Sequence, residues 1–340
     1  MFSRRQGTST VVFEEMPFIL SVGSVVGPRE GMGPLGPLFD LVYDNTLAGE
    51  TSWEKGESRM LRQALELSLA KARLTDTDID FLLAGDLLNQ IVSSTFMARN
   101  HHIPFIGLYG ACATMALGFC LASMLVEGGF ARRAAVASSS HHDTAERQYR
   151  YPAEYGSQRV PTSQWTVTGA GAAVVSREGP GPRIEAITVG RVQDLGITDA
   201  NDMGSAMAPA FADTVWRHLS DTARRPEDYD LILSGDLGRV GSQVARHLLQ
   251  GKSIDLVGVH QDAGLLIYGD DPDICSGASG CGCFASVFAA KTWPELVSGK
   301  IKRVLAVATG ALHSPTTCQQ GESIPSVAHA VSIVGNVNGK

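Results

Sequence analysis

The chain lacks the features of several common classes of protein. It contains no run of lysine and arginine, and its 28 basic residues are outnumbered by 35 acidic ones, which gives a net charge of −7. Nucleic acid is therefore not an expected partner, because phosphate binding needs a basic surface. Only six cysteines occur among the 340 residues, and their spacing matches neither a disulfide framework nor paired metal ligands. We expect no bound metal, no cofactor and a reducing compartment.

Segments for export or membrane insertion are also missing. Arg4 and Arg5 precede a mildly apolar stretch, but Glu14 and Glu15 interrupt it before the core of a signal peptide could form. Residues 100–126 contain no Asp, Glu, Lys or Arg, and they are long enough to span a bilayer. Because glycines and a proline divide this stretch, it favours a buried strand followed by a buried helix. We expect a soluble, cytoplasmic-type chain that is attached to a membrane from outside at most.

The most informative feature that is present is an internal repeat. Residues 79–87 recur as residues 229–237, and residues 129–137 are echoed by residues 299–307. A repeat of this length indicates a duplicated domain, because the units of a solenoid are shorter. Each copy reads as a helix, an apolar strand, a Gly-Asp turn, a second helix and further strands around a long buried helix.

Apolar runs predict how the two copies are layered. Four predicted strands are continuous apolar runs without polar alternation: residues 81–84, 134–137, 231–234 and 304–308. Such strands are buried on both faces, so helices must cover the sheet above and below. The helix that follows Tyr109 is apolar almost all round and must be enclosed by protein. We predict an α/β protein with an N-terminal half at 1–180 and a C-terminal half at 181–340.

Several motifs resemble those of known families. The run from Gly110 to Thr114, which includes Cys112, and residues 168–175 resemble the first half of thiolases and β-ketoacyl synthases. Three longer motifs resemble the stage V sporulation protein AD (SpoVAD) family: residues 83–90, 144–152 and 202–209. This second resemblance extends from about Val11 to Val334. It implies a thiolase-like fold, with two duplicated α/β halves packed in an αβαβα layered arrangement.

Cys112 is the strongest candidate for chemistry. At the start of a helix, the peptide dipoles and free N–H groups favour the thiolate and could stabilise an oxyanion. In thiolases the matching cysteine is the nucleophile that accepts the acyl group, whereas a free cysteine is otherwise a small buried residue. Acyl transfer also needs a base, and residues 275–281, where thiolases carry a Gly-His-Pro histidine, contain no histidine. Cys112 is therefore either catalytic or vestigial and pocket-lining, and His260 and His329 are the possible substitutes for the missing base.

Polar residues near the ends of the predicted strands are candidate ligand contacts. Asp86 and Asn89 follow a buried strand at its carboxyl end, where α/β sheets place ligands, although an Asp there can also cap the next helix. Residues 147–155 alternate guanidinium groups and aromatic rings, which bind carboxylates and planar ligands. The alternative for this segment is a solvated, salt-bridged loop. The candidate ligand-binding residues are Asp86, Asn89, Cys112, Ser140, His141, Arg147, Arg150 and Tyr151.

The resemblance to the SpoVAD family also implies a function. Its members are associated with the uptake of dipicolinic acid, pyridine-2,6-dicarboxylic acid, into the forespore, together with other SpoVA proteins at the inner membrane. It therefore implies a non-catalytic, peripherally attached homodimer that binds dipicolinate, free or as the calcium chelate. One alternative is an acyltransferase or β-ketoacyl synthase-like condensing enzyme that uses Cys112. Another is a scaffold for membrane partners with a vestigial pocket.

Overall fold

The two halves of the chain contain matching series of strands and helices. The computed structural model describes residues 4–150 and 159–335. The first half contains β1 (Arg4–Gln6), β2 (Thr10–Val12), β3 (Phe18–Val26), α1 (Pro28–Met32), β4 (Leu41–Val42), α2 (Trp53–Ala72), β5 (Phe81–Gly85), α3 (Val92–Ala98), β6 (Phe105–Gly107), α4 (Thr114–Glu127), β7 (Arg133–Ser140), α5 (His142–Tyr149), β8 (Trp165–Thr166) and β9 (Gly169–Ser176). The second half contains β10 (Arg183–Val189), α6 (Met203–Thr222), β11 (Leu231–Gly235), α7 (Gly238–Gln250), β12 (His260–Asp262), α8 (Ala263–Leu266), β13 (Ala278–Ser279), α9 (Cys281–Val287), α10 (Trp293–Val297), β14 (Arg303–Ala311), α11 (Pro315–Gln319) and β15 (Ser326–Val334).

Five main strands in each half have the same order and directions. The first half has the order β6-β5-β7-β9-β3, and the second has β12-β11-β14-β15-β10. The first three strands of each series are parallel, and the last two are antiparallel to their neighbours. The two series meet where β10 pairs with β3 and β2. This arrangement confirms the predicted duplication, while the boundary between residues 180 and 181 stays a prediction.

The duplication extends to individual hydrogen bonds. The Asp80 carboxylate accepts the backbone N–H groups of residues 132–133 at 2.6 and 3.0 Å. In the second half, the Asp230 carboxylate accepts those of residues 302–303 at 2.6 and 2.9 Å. Each carboxylate thus connects the residue before one parallel strand to the start of the adjacent parallel strand, and the same interaction occurs in both halves.

Helices α4 and α9 form the central layer of the molecule. α4 contacts β7 of the first half and β14 and β15 of the second, and α9 contacts β7, β9 and β11. The Phe119 ring of α4 meets the Phe288 ring, just after α9, edge to face with centroids 5.3 Å apart. α2 and α3 cover the outer face of the first sheet, whereas α6 and α7 cover the second. The order of layers is therefore αβαβα, as predicted.

The apolar segment at residues 100–126 folds as a strand and a buried helix, β6 and α4. The four predicted strands are also present, and each extends beyond its apolar run. In β7, for example, the polar residues 138–140 continue the strand, because their buried hydroxyls donate to acceptors inside the fold: main-chain carbonyls for Ser138 and Ser140, and the Glu57 carboxyl group for Ser139. Within the described ranges, no helix combines the length and the apolar character needed to cross a bilayer.

Candidate functional site at Cys112

The turn that precedes α4 holds Cys112 in a strained stretch of backbone. Ala111 has a φ of 47°, a left-handed conformation that is costly for a residue with a side chain. Thr114 stabilises the turn, since its hydroxyl donates to the Ala111 carbonyl at 2.6 Å and accepts the Gly110 N–H at 3.2 Å. α4 begins at Thr114, with Ala113 as its N-cap. Cys112 therefore lies two residues before the helix, and not at its first residue as predicted.

The second half of the chain packs directly on this turn through Gly310 of β14. A Cβ atom at Gly310 would lie 2.2 Å from the Gly110 carbonyl oxygen and 3.1 Å from the Cys112 nitrogen. Only glycine permits this approach, because any side chain would push the two halves apart. Cys112 is therefore placed where β14 of the second half packs on the turn before α4.

Cys112 lines a small cavity between the halves. The cavity has a volume of about 40 Å³, which suffices for a few water molecules because one needs about 10–15 Å³. Cys112 itself is 9% exposed. The lining residues are Leu87, Tyr109, Ala111, Cys112, Ala145, Tyr149, Arg150, Thr166, Met203, Met207, Ser279, Ala311 and His313.

Arg150 carries a charge into this cavity, and it is the one Lys, Arg, Asp or Glu among the described residues that line it. Its side chain is 9% exposed and forms an ion pair with Glu146 at 2.6 Å, and its Nε donates to the Ala200 carbonyl at 3.4 Å. Burial, assisted by the positive charge of Arg150, lowers the pKa of His313 to about 4. The imidazole of His313 is therefore neutral at pH 7, and Arg150 supplies the positive charge of the cavity.

The Cys112 thiol is protonated at neutral pH. Burial raises its pKa well above the ordinary value and the nearby Asp236 carboxyl raises it further, while the Gly280 amide and the Arg150 guanidinium oppose this in part. The expectation that the helix start favours the thiolate is therefore wrong, because the cost of removing a charge from water exceeds the effect of nearby peptide dipoles. A protonated thiol is a weak nucleophile.

Asp236 is a buried carboxyl group near Cys112 that the sequence analysis did not select. It is fully buried and has a φ of 75°. Burial and the Asp262 carboxylate raise its pKa well above the ordinary range, although the Cys283 thiol and the Gly280 amide oppose the shift. Asp236 therefore holds its proton more strongly than an exposed aspartic acid does. Its position was available from the repeat, since it is the counterpart of Asp86 in the second copy.

A wider cleft lies outside the cavity. Its volume is about 470 Å³, and it is lined by residues 87–91, 107–109 and 312–315 together with Tyr149. Four residues line both spaces: Leu87, Tyr109, Tyr149 and His313. The Tyr149 hydroxyl donates to the Leu87 carbonyl and lies 3.3 Å from the Tyr109 hydroxyl. These side chains form the wall between the cleft and the cavity.

Comparison with known proteins identifies the family. The model of the family "Stage V sporulation protein AD (SpoVAD)" matches residues 7–334. The stage V sporulation protein AD of Bacillus subtilis (strain 168) is 50% identical to this chain over 325 residues, which cover 96% of each protein. The chain belongs to the stage V sporulation protein AD family. The resemblance inferred from the motifs is thereby confirmed, and this is a sporulation protein by homology.

Solved structures show the thiolase-like fold of this SpoVAD family member. The 3-oxoacyl-[acyl-carrier-protein] synthase III of Aquifex aeolicus VF5 has a TM-score of 0.55 and 15% identity, and the match covers 94% of this chain and 99% of that one. The tetronic acid condensing enzyme AbyA1 has a TM-score of 0.60 and 15% identity, with coverages of 94% and 100%. Cerulenin-bound OleA of Xanthomonas campestris has a TM-score of 0.61 and 15% identity, with coverages of 95% and 99%. At this identity the likeness establishes the fold alone.

Two of the predicted contacts, Cys112 and Arg150, line the cavity, whereas Asp86 does not. Asp86 is fully buried and accepts hydrogen bonds from the Leu88 N–H at 2.9 Å and from the N–H and hydroxyl of Ser94 at 2.8 and 2.7 Å. Its carboxyl group therefore stabilises the start of α3, which is the capping role that the sequence left open.

Ser140 and His141 are likewise used inside the fold. The buried Ser140 hydroxyl donates to the Val167 carbonyl at 2.7 Å and accepts the Gly282 N–H at 3.0 Å. His141 caps α5, because its Nδ1 accepts the N–H of Asp143 at 3.2 Å. Both side chains face neighbouring main chain at the carboxyl end of β7, and neither is among the residues that line the cavity.

Asn89 and Arg147 lie outside the cavity. Asn89 is exposed and lines the outer cleft. The Arg147 guanidinium forms an ion pair with Glu54 and lies 5.4 Å from the centre of the Trp53 ring. Tyr151 lies outside the described residues.

The histidine of the cavity is His313, which the sequence analysis missed. The two histidines proposed as substitutes are engaged elsewhere: His260 hydrogen-bonds Ser234 at 2.8 Å, and His329 accepts the Gly190 N–H at 3.2 Å. A spacing of 170 residues relates β14 to β7, and it places His313 just beyond a duplicated strand end. The internal repeat could therefore have identified His313 as a candidate site residue. In the described ranges, no group of three or more His, Cys, Asp or Glu side chains is positioned to hold a metal ion.

Proposed function

We propose that this protein binds dipicolinate, the pyridine-2,6-dicarboxylate dianion, in the Cys112 cavity and serves its uptake into the forespore. The observation that carries the proposal is a largely buried guanidinium, that of Arg150, in a cavity that also offers aromatic rings. Membership of a sporulation protein family supports the biological setting.

The ligand is held by groups that match its two ends and its ring. The Arg150 fork takes one carboxylate, a geometry in which guanidinium groups bind strongly. The rings of Tyr109 and Tyr149 pack on the pyridine ring, and the neutral His313 offers an N–H donor. Cys112 contributes a protonated thiol at the base of the site.

Binding requires the wall of the cavity to move. The present volume of about 40 Å³ is far below the roughly 300–1,000 Å³ of typical ligand pockets. The ligand enters from the outer cleft of about 470 Å³ as Tyr149 leaves its contact with the Leu87 carbonyl. Cavity and cleft then form one site.

Acyl transfer by a condensing-enzyme mechanism is less well supported. The Cys112 thiol is protonated, and a histidine with a pKa of about 4, as for His313, is a poor base at neutral pH. Incubation with an acyl-CoA followed by mass spectrometry distinguishes the two functions. A thioester on Cys112 that is absent from Cys112→Ser would favour the enzyme.

The proposal includes partners and a location. Among the described strands, β6 pairs with β5 alone, so its outer edge is open to a second copy of the chain in a homodimer. Attachment to the inner membrane would occur through other SpoVA membrane proteins. Analytical ultracentrifugation tests the dimer, and a monomer at micromolar concentration would contradict it.

Calorimetry tests the binding itself. Dipicolinate is titrated into the protein with EDTA and, separately, with calcium, which distinguishes the free dianion from its chelate. Pyridine-3,5-dicarboxylate is the matched control, because it has the same charge but directs its carboxylates differently. We expect saturable heat for the 2,6-isomer only. The absence of saturable heat for both isomers would instead support a scaffold with a vestigial pocket.

A further inference from the structure

A second cleft, between α2 and α3, has no part in the site described above. Its volume is about 470 Å³. It shares no lining residue with the Cys112 cavity or the outer cleft. The residues that line it are Glu50, Ser52, Glu54, Lys55, Ser58, Arg59, Arg62, Val92, Ser93, Phe96, Arg99 and Asn100.

This cleft is cationic in a chain that is acidic overall. Lys55, Arg59 and Arg62 follow each other on α2 at spacings of four and three residues, so they lie on one face of the helix. Arg99 joins them from the end of α3. Four cationic side chains and two carboxylates, those of Glu50 and Glu54, thus line the cleft. Glu54 is already paired with Arg147, which lies outside the cleft. The cleft has a surplus of two positive charges, although the whole chain has a net charge of −7.

The two central arginines are only loosely engaged by the protein. Arg59 lies 3.5 Å from Glu50, and Arg62 lies 3.6 Å from Glu66, whereas charge-assisted hydrogen bonds are normally about 2.7–2.9 Å long. The Nε atoms of both arginines are buried and have no hydrogen-bond partner in the part of the chain that the structure describes. These buried Nε atoms are closed to a ligand, but the two side chains are 35% and 36% exposed, so their remaining N–H groups are the donors that a ligand could use.

An aromatic ring lies beside these cations. Phe96 is 47% exposed, and the Arg99 guanidinium lies 4.3 Å from the centre of its ring. This cation–π contact positions Arg99 without neutralising its charge. The cleft therefore offers fixed cations and an apolar contact side by side.

We propose that the cleft between α2 and α3 binds a phosphate-bearing group, either the headgroup of an anionic lipid or a free phosphate. Planar guanidinium groups bind phosphate oxygens in pairs, and the surplus of two charges matches a phosphate dianion. The volume of the cleft lies within the range of small-molecule sites. This inference is independent of dipicolinate binding.

The test compares two double variants of the full chain. Arg59→Gln/Arg62→Gln removes the two loosely engaged arginines, whose side chains are 35% and 36% exposed. Arg132→Gln/Arg177→Gln is the matched control, because it makes the same change in net charge at exposed positions outside the cleft. One arm titrates inorganic phosphate by calorimetry. The other arm pellets the protein with vesicles of phosphatidylglycerol or, as the neutral reference, phosphatidylcholine.

We expect the wild type to bind in at least one arm and the cleft variant to bind at least tenfold more weakly, with the control unchanged and sodium chloride weakening the interaction. Loss in the phosphate arm identifies a free phosphate as the ligand, and loss only with phosphatidylglycerol identifies a headgroup. The proposal is overturned if the wild type binds in neither arm, or if the folded cleft variant binds like the control. Arg99→Gln, at an exposed position, replaces the double variant if the latter fails to fold.

Discussion

Replacing Arg150 is expected to reduce the affinity for dipicolinate. Its side chain is 9% exposed and lines the cavity, so Arg150→Ala removes a charged donor from a site that water reaches poorly. The loss of such a hydrogen bond costs about 1.5–3 kcal/mol, which corresponds to a Kd that is roughly 10- to 150-fold higher.

A second effect of the same substitution has to be separated from the first. Glu146, whose side chain is also 9% exposed, loses its partner at 2.6 Å, and among the described residues it keeps the ion pair with Arg159 at 3.9 Å. Arg150→Ala therefore also lowers the free energy of unfolding, by about 1–3 kcal/mol. Arg150→Lys retains a cation near Glu146 but loses the planar fork. It should preserve stability better than affinity.

Calorimetry with dipicolinate, together with thermal unfolding followed by circular dichroism, measures both effects. Arg147→Ala is the control from the last turn of α5, which Arg150 follows, because Arg147 pairs with Glu54 outside the cavity. We expect wild-type affinity for this control. If Arg150→Ala is folded and binds dipicolinate as tightly as the wild type, then Arg150 is not a contact and the proposed orientation of the ligand is wrong.

Three further outcomes follow from burial and close packing inside the fold. Burial, and to a smaller extent the Asp86 carboxyl, raises the pKa of Glu57 from 4.5 to about 8. Between these two pH values the folded chain keeps a proton that the unfolded chain loses. The free energy of unfolding therefore falls as the pH rises, by about 1.4 kcal/mol per pH unit. Glu57→Gln should therefore show a gain in Tm over the wild type that grows from pH 5 to pH 8. Iodoacetamide at pH 7.5 should modify the partly exposed Cys275 before the protonated, buried Cys112, as peptide mass spectrometry would show. Gly310→Ala should destabilise the protein by at least about 2 kcal/mol in chemical denaturation, because its Cβ would lie 2.2 Å from a backbone carbonyl oxygen.

Each of these outcomes has a result that would contradict it. A difference in Tm between Glu57→Gln and the wild type that is constant with pH would mean that Glu57 is ionised in the folded chain. Faster alkylation at Cys112 would mean that its thiol is activated. For the packing of the two halves, Gly251→Ala is the reference, since Gly251 has an ordinary φ of −60° and its added Cβ would lie 3.4 Å from the nearest described atom, the Leu248 carbonyl oxygen. An equal loss in the two variants would show that the close approach at Gly310 is not responsible.

The layered α/β architecture could be inferred from the order of residues because its causes are local. Continuous apolar runs predict strands with two buried faces, and the copy of residues 79–87 at 229–237 predicts a second unit of the same design. The structure confirms both in the matching order of strands. Cys112 could be selected as a candidate in the same way, since it belongs to the short motif, Gly110 to Thr114, that precedes an apolar helix.

Which residues line the cavity depended on contacts between distant parts of the chain. Asp86, Ser140 and His141 lie at strand ends, as expected, but their polar atoms are hydrogen-bonded to the main chain around them. His313, in contrast, lines the Cys112 cavity from the other half. The protonation state of the Cys112 thiol was decided in the same manner. Desolvation depends on everything packed around an atom, and the residues that exclude water from Cys112 come together only when the two halves close on each other.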